Sequence, residues 1–389
     1  MIEMFGDISW ILFIIFFLLF PIIYPRMVLA QSLYFLNVMI ERFNNSLENS
    51  KRKFLKLINS KVPSNEVFEM LDFFSIEPTS LDPFGIVKKF ELIVDQTDEK
   101  LENFIRKISN EKDEEKIKNF KTLYQILIVK NLLKKILEHY KEIIRKYKNI
   151  QIAFLVNFQL PIIERIFNSY QKGFETISNN LPIGDGIGPL IIANLISEKD
   201  KIKEMHECII VRKKLYGKNV VLVRAKGPGS RLGKLHKVVE EIVKKEKIEK
   251  IITIDAALKL EGEKSGSIAE GVGVAIGGIG IEKFNIEEIA LKYGIKLEAI
   301  AVKMSQEEAI KIMNPEIYAA KDRAIKKLKE LIEESKGKVL IIGVGNSVGI
   351  PNTLEEIEKI ELEKKIRDFW EKFGKEIERE SWLDKVFGI

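Results

Sequence analysis

An uncharged apolar run from Ile8 to Tyr24 is the feature that most constrains this chain. Its 17 residues reach the lower limit for a helix that crosses a bilayer, which is about 17 residues, and aromatic side chains stand near both ends. One rival interpretation is a cleaved signal peptide, which needs a basic segment before the apolar run. Here Glu3 and Asp7 precede the run. The other rival is a buried core helix. We predict a membrane anchor over residues 1–40.

The charges on the two sides of the run predict its orientation. No lysine or arginine precedes it, whereas five basic residues follow it within 30 positions: Arg26, Arg42, Lys51, Arg52 and Lys53. Positive residues favour the cytoplasmic side, so we expect a single-pass protein of the cell membrane with its N-terminus outside and the remainder in the cytoplasm. The one cysteine, Cys208, excludes an intramolecular disulfide and suits a reducing compartment.

Residues 41–178 have the apolar spacing of helices, with intervals of three and four. Glycine is rare there, and Pro63, Pro78 and Pro83 mark breaks between helices. We predict a helical stalk without a catalytic signal. Charged residues make up 31% of the chain, with much Lys, Glu and Ile and little Gln, a thermophile-like bias.

The composition changes at Asn179, after which most of the glycines lie. β-branched runs alternate with glycine-rich turns and helical segments, which predicts an α/β domain with a largely parallel sheet over residues 179–352. The predicted strands cover 208–215, 219–225, 251–258, 295–304 and 338–345, and a helix covers 231–247. Residues 353–389 read as an amphipathic C-terminal helix.

The first candidate site is the run AKGPGSRLGK between a predicted strand and a predicted helix. Glycines allow backbone N–H groups to approach an anion, and a helix N-terminus adds a positive dipole end. We expect an anionic ligand, a nucleotide or a phosphate, to bind there, with Asp255 at the end of the next strand holding a hydroxyl group or a metal. The candidate binding residues are Gly227, Gly229, Arg231, Gly233, Lys234 and Asp255. The alternative is a turn that only packs the helix on the strand.

The local charge agrees with an anionic ligand. The chain has a net charge of +6, while residues 212–250 alone carry 13 basic residues against 4 acidic ones. Nucleic acid is not favoured as a partner, because Tyr216 is the only aromatic residue of that segment. With only three histidines, any metal site must depend on carboxylates.

The second candidate is the run GDGIGP at residues 184–189. It resembles the GDDGIGP run of hydrogenase-maturation endopeptidases. The other pieces of that family's pattern, GVGN at 343–346 and IDAA at 254–257, are present in permuted order. The resemblance implies that Asp185 and Asp255 are ligands of a divalent metal. The family's third ligand, a histidine, has no clear match here.

Two further glycine-rich segments are candidates for ligand contact. Residues 260–284 hold seven glycines and form either an ordered ligand loop or a flexible surface loop. In residues 343–352, Asn346, Ser347 and Asn352 would bind a ligand or cap the following helix.

The anchor, the helical middle and the two glycine-rich runs together resemble an archaeal membrane-anchored family that is catalogued as a domain of unknown function. The leading hypothesis is a membrane-anchored α/β domain that binds a small anion. The alternatives are a metal-assisted hydrolase on Asp185 and Asp255, and a non-enzymatic membrane scaffold. Whether the chain is an enzyme, and whether it forms a homo-oligomer, stay open.

Overall fold

The N-terminal apolar run belongs to one long helix in the computed structural model, which describes residues 2–73, 86–273 and 281–374. Helix α1 (Ile2–Ile58) continues through Pro21 and Pro25, and its side chains are exposed from Phe13 to Ile23. Its residues from Val28 onward pack against other helices. An apolar helix of this length near the N-terminus is compatible with a membrane anchor.

The helical part follows as α2 (Ser64–Val67), α3 (Ile86–Ile108), α4 (Glu114–Tyr147) and α5 (Ile150–Ser178). Asp113 and Asn149 cap α4 and α5 with their side chains. Helix α5 runs parallel to α1, because Ser32 contacts Asn157 and Phe43 stacks on Phe167 further along both helices. Helix α4 runs antiparallel to α1, because Ser46 contacts Lys130 whereas Phe54, further along α1, contacts Phe120. The predicted breaks at Pro78 and Pro83 lie outside the described residues.

The α/β part contains a mixed sheet of seven strands in the order β1-β2-β3-β7-β4-β6-β5 among the described residues. The strands are β1 (Ile202–Met205), β2 (Cys208–Leu215), β3 (Lys218–Ala225), β4 (Lys250–Leu258), β5 (Ile268–Val272), β6 (Lys296–Met304) and β7 (Val339–Gly343). The central four, β3, β7, β4 and β6, are parallel. Strands β1, β2 and β5 pair antiparallel at the edges. The predicted α/β class and largely parallel sheet are confirmed.

Helices cover both faces of the sheet. Helices α7 (Leu235–Lys245) and α8 (Ile281–Tyr293) pack on one face. Helices α6 (Ile187–Ala193), α9 (Gln306–Ile310) and α10 (Pro315–Glu333) lie on the other side, where α6 and α10 form the main core with the sheet. Parallel strands buried on both faces explain why their sequences are almost continuously apolar. The carboxyl ends of β3, β7 and β4 then meet at one edge, which faces α3 and α4.

The C-terminal segment is helical, in two short pieces: α11 (Leu354–Lys359) and α12 (Leu362–Phe369), followed by one π-helical turn to Gly374. Glu361 has a left-handed backbone (φ 50°) and separates the two helices. Ile357, Leu362 and Ile366 are buried in the main core. Residues 375–389 of the predicted amphipathic helix lie outside the described residues.

Candidate functional site

The glycine-rich loop between β3 and α7 donates its backbone N–H groups to side chains of the same chain. Three such bonds join Gly227 N to Asn352 Oδ1 at 2.9 Å, Gly229 N to Glu115 Oε2 at 2.6 Å and Ser230 N to Asn119 Oδ1 at 2.7 Å. The loop therefore presents donors toward oxygen atoms, as the anion hypothesis requires. In this structure the oxygen atoms come from α4 and from the segment after β7.

The Glu115 carboxylate is held by two donors of the glycine-rich loop. Its Oε2 atom accepts the Gly229 N–H and forms an ion pair with the guanidinium of Arg231, whose exposed fraction is only 7%. We call these two donors the Gly229–Arg231 pair. A Cβ atom on residue 229 would lie 2.2 Å from the same oxygen, so only glycine allows this approach. The pair holds a carboxylate by one amide and one guanidinium, which is a charge-assisted contact.

The other predicted anion-binding residues lie at the start of α7. Gly233 has a positive φ of 71°, and a Cβ there would meet Cys208 Sγ at 2.5 Å. Lys234 forms an ion pair with Asp95 of α3 at 2.9 Å. Burial lowers the pKa of Lys234, but the hydrogen bond and charge of Asp95 outweigh it, so the pKa is raised. Lys234 thus ties the loop to α3, whereas Gly233 lies against β2.

A cavity of about 250 Å³ lies between α3, α4 and this loop. Its polar lining includes Asp95, Asp98, Thr122, Ser230, Arg231 and Asn346. The cavity is at the carboxyl edge of the parallel strands, where ligands bind in open α/β sheets. Its lining carries charges of both signs.

Asp255 and Lys283 form a buried ion pair beside this edge. Asp255 lies one position past the last pairing of β4 with β7, Ile254 with Gly343, and its exposed fraction is 2%. Its Oδ2 atom contacts Nζ of Lys283 on α8. Burial raises the pKa of Asp255 to about 7, although the charge of Lys283 opposes the shift. The carboxyl group can therefore gain or lose a proton near neutral pH.

Asp185 lies close enough to Asp255 for their charges to interact, as the charge of Asp185 adds to the raised pKa of Asp255. Asp185 is in the short 3-10 turn (Gly184–Gly186) before α6. Its Oδ2 atom accepts the Asn346 N–H at 2.8 Å. Burial raises the pKa of Asp185 against the effect of that hydrogen bond and of Lys283. The structure thus places the two predicted carboxylates in one cluster.

The residues present do not favour a resident divalent metal at this cluster. Among the described residues, no group of three possible His, Cys, Asp or Glu ligands comes together. The Lys283 ammonium already supplies a positive charge against Asp255. The metal assignment of Asp185 and Asp255 remains a prediction from the endopeptidase resemblance.

Asn346 connects the two candidate sites. Its backbone holds Asp185, and its side-chain amide lies 3.0 Å from Ser230 Oγ in the glycine-rich loop. Thr122 of α4 donates to the same Ser230 hydroxyl at 2.8 Å. Ser347 is fully buried, with its hydroxyl against carbonyl oxygens of the loop, the nearest being Gly229 O at 2.7 Å. The segment after β7 therefore contributes the side chains of Asn346 and Ser347 to this edge of the sheet. Thr353 caps α11.

Three residues at or near the candidate site are not predicted by the sequence analysis. Glu115 stands in a helix without any local motif, and Lys283 lies within the glycine-rich segment 260–284, whose pattern does not single it out; their partners lie 116 and 28 positions away. Arg224 is fully buried in β3, and its guanidinium donates to the carbonyl oxygens of Pro351 and Ile350. A basic residue inside an apolar strand is the one signal that could have revealed Arg224.

The fold and the edge cluster define a class of protein: a three-layer α/β domain joined to a helical bundle that continues an apolar N-terminal helix. The chain belongs to the DUF1512 family. The family model for the N-terminal domain, described as a protein of unknown function, matches residues 10–180. The family model for the C-terminal domain, described as a domain of unknown function, matches residues 183–351. Comparison with curated proteins and with solved structures finds no match.

Proposed function

We propose that this chain is a membrane-anchored protein whose α/β domain binds a small anionic ligand, such as a nucleotide or phosphate, at the Gly227–Lys234 loop. The anchor is α1, and the α/β domain is on the cytoplasmic side. The proposal names the Gly229–Arg231 pair as the group that receives the anion, and the cavity beside it as the place for the rest of the ligand.

The observation that carries this proposal is the Glu115 carboxylate on the Gly229–Arg231 pair. A backbone amide and a buried guanidinium that hold one carboxylate oxygen have the donors that a phosphate oxygen needs. Glu115 has a side chain that is 26% exposed, so an external anion can reach the same place. Glu115 is then a competitor of the ligand.

The test compares thermal stabilisation of the full chain in detergent by inorganic phosphate and by nucleoside mono-, di- and triphosphates. Glu115→Gln removes the competing charge, so we expect a larger ligand-induced shift in Tm than for the wild type. A free ligand concentration of one hundred times Kd would stabilise the folded chain by about 2.7 kcal/mol. Arg231→Gln should abolish the shift.

The matched control is Glu114→Gln, because the Glu114 carboxylate pairs with Arg106 and does not contact the loop. It should behave as the wild type. Absence of any shift at millimolar ligand in both the wild type and folded Glu115→Gln would reject the anion proposal. A non-enzymatic scaffold, in which the helical bundle recruits partners to the membrane, would then be the better account.

A second candidate is a hydrolase site on Asp185 and Asp255, the pair that the endopeptidase resemblance names; the described residues favour acid–base catalysis there over the metal-assisted form. The observation that favours it is the raised pKa of Asp255, about 7, beside a second carboxylate. An acid that titrates near neutral pH suits general acid–base catalysis. Hydrolysis of phosphate esters or peptides that Asp255→Asn abolishes and the exposed control Glu198→Gln retains would support it. Equal activity of both variants would refute it.

A further inference from the structure

The turn between α4 and α5 lies at the end of the bundle that faces the apolar part of α1. Asn157 Nδ2 contacts Ser32 Oγ at 2.8 Å, and Gln171 Oε1 accepts from Ser46 Oγ at 3.0 Å. Both contacts join positions 125 residues apart, so α5 runs beside α1 in a constant parallel register. In that register, Lys148 is level with residue 23 of α1.

That level is where the exposed apolar part of α1 ends. From Phe13 to Ile23 the apolar side chains of α1 are exposed, whereas Val28 is buried and Phe35 and Leu36 pack with residues of α4 and α5. Residues 8–25 would extend about 27 Å as a helix, which matches the hydrocarbon thickness of a bilayer, roughly 30 Å. With α1 anchored as proposed above, the α4–α5 turn is therefore at the membrane surface.

The turn is basic and carries an exposed aromatic ring. Arg145, Lys146 and Lys148 stand within four positions, Arg26 of α1 is level with them, and Tyr147 is 59% exposed. Glu142 is the nearest acidic residue in this stretch of the sequence, and it pairs with Arg145 on the exposed face. Basic side chains next to an apolar span attract anionic lipid headgroups, at roughly 1 kcal/mol each. A tyrosine favours the same interface.

The apolar start of α5 leads away from this surface. No charged residue occurs between Ile150 and Ile163, and Phe154 and Leu155 are exposed. In the register above they are level with residues 29 and 30 of α1, farther from the hydrocarbon than Lys148, so the proposed membrane contact is confined to the turn.

We propose that the α4–α5 turn binds the anionic headgroups of the membrane in which α1 is anchored. Arg145, Lys146 and Lys148 contact the headgroups, and Tyr147 enters the interface. The bundle is then held to the bilayer at two points, α1 and this turn. This inference rests on the anchoring of α1 and not on the anion-binding loop.

The experiment places one fluorescent label at a time on the full chain in vesicles of phosphatidylcholine with 30% phosphatidylglycerol. Cys208→Ala removes the buried native cysteine. The label is put on Tyr147→Cys, on Leu18→Cys as the anchor reference, and on Arg165→Cys as the control on α5, away from the turn. Arg165 is exposed and about 25 Å farther along α5. Quenching by nitroxide-labelled lipids reports contact with the membrane.

We expect strong quenching at position 18 by acyl-chain nitroxides, strong quenching at position 147 by headgroup nitroxides, and little at position 165. Quenching at 147 should fall at least twofold in vesicles of phosphatidylcholine alone. The triple variant Arg145→Gln, Lys146→Gln, Lys148→Gln should lose the dependence on phosphatidylglycerol. The charge-matched control Lys199→Gln, Lys203→Gln, Lys364→Gln should keep it.

Quenching at position 18 without quenching at 147 would overturn this proposal and leave the anchor intact. No quenching at either position would overturn the anchoring as well. A label at 147 that is shielded from both nitroxide lipids and aqueous iodide, in a particle with the mass of two chains, would assign the surface to a second copy and reject the lipid contact.

Discussion

At the scale of single residues, the carboxyl edge of the sheet depends on close backbone approach. A Cβ atom on residue 227 would lie 1.9 Å from Ile350 O, and one on residue 188 would lie 2.3 Å from Val344 O. Neither contact involves a flexible side-chain end that could move away. The shape of this edge is therefore determined by residues that have no side chain to contribute.

Gly227→Ala should lower the stability of the protein by about 1–3 kcal/mol or more, because the backbone of Ile350 must shift to admit the methyl group. The Tm of the full chain in detergent measures this. The control is Gly271→Ala, because a Cβ at residue 271 would have no other atom within 4 Å and the backbone there is an ordinary strand. Equal Tm values for the two variants would contradict the crowding at Gly227.

The raised pKa of Asp255 predicts a pH dependence of stability. Its pKa is about 7 in the folded chain against 3.8 as the usual value, so the folded state binds more protons between these values. Stability should therefore fall as the pH rises from about 4 to 7, by at most about 4 kcal/mol from this group. Asp255→Asn should flatten that slope in a series of Tm measurements. An unchanged slope would show that Asp255 titrates normally.

At the scale of elements, the helical bundle contains a buried lysine at its centre. Lys130 of α4 is fully buried, and its Nζ contacts Ser46 O, Ser50 Oγ and Gln171 Oε1. Burial lowers its pKa to about 7, with the charge of Glu175 opposing the shift. These oxygen atoms on α1 and α5 are joined by one side chain of α4, so the three helices are linked by polar contacts as well as by apolar packing.

Lys130→Met should remove a pH dependence of stability whose sign is opposite to that expected from Asp255. Between about pH 7 and 10.5 the unfolded chain binds the Lys130 proton more strongly, so wild-type stability gains at most about 5 kcal/mol from this group as the pH rises. The Tm of the variant should rise less than that of the wild type over this range. The exposed Lys135→Met serves as the comparison, and an equal response of both variants would exclude a lowered pKa for Lys130.

The elements that the sequence predicts correctly are those with a strong local pattern. Strands β2, β3, β4, β6 and β7 and helix α7 carry continuous β-branched runs or helical spacing, so their bounds follow within a few residues. The edge strands β1 and β5 are missed. Strand β1 has four residues, and β5 contains Gly271 within a glycine-rich run. Both strands exist through pairing with a neighbour, which no local pattern reports.

The same limit applies to the site. The pairing of Asp185 with Asp255 is implied by the resemblance to the endopeptidases, and the two charges do interact in the structure. The partner of the glycine-rich loop, Glu115, is 114 positions before Gly229 on a charged helix face. Nothing in its own neighbourhood distinguishes that carboxylate from Glu111 or Glu114. Only the docking of α4 on the α/β domain selects it.

At the scale of the whole molecule, the proposed orientation makes a direct prediction about intact cells. In a Cys208→Ala background, a membrane-impermeant thiol reagent should label Glu3→Cys before the cells are opened. Lys203→Cys, exposed on the α/β domain, should be labelled only after lysis. The reverse pattern would place the α/β domain outside.

The length of α1 has a mechanical consequence. From Met27 to Ile58 no proline interrupts the helix, which is about 48 Å of rigid rod. Leu57 at its inner end lines the same cavity as Glu115. A change of about 5° in the tilt of such a rod moves its far end by about 4 Å, more than the length of the hydrogen bond between Gly229 and Glu115. With α1 anchored as proposed, a change of its tilt in the bilayer would therefore shift the end of the helix that lies beside the Glu115 cavity.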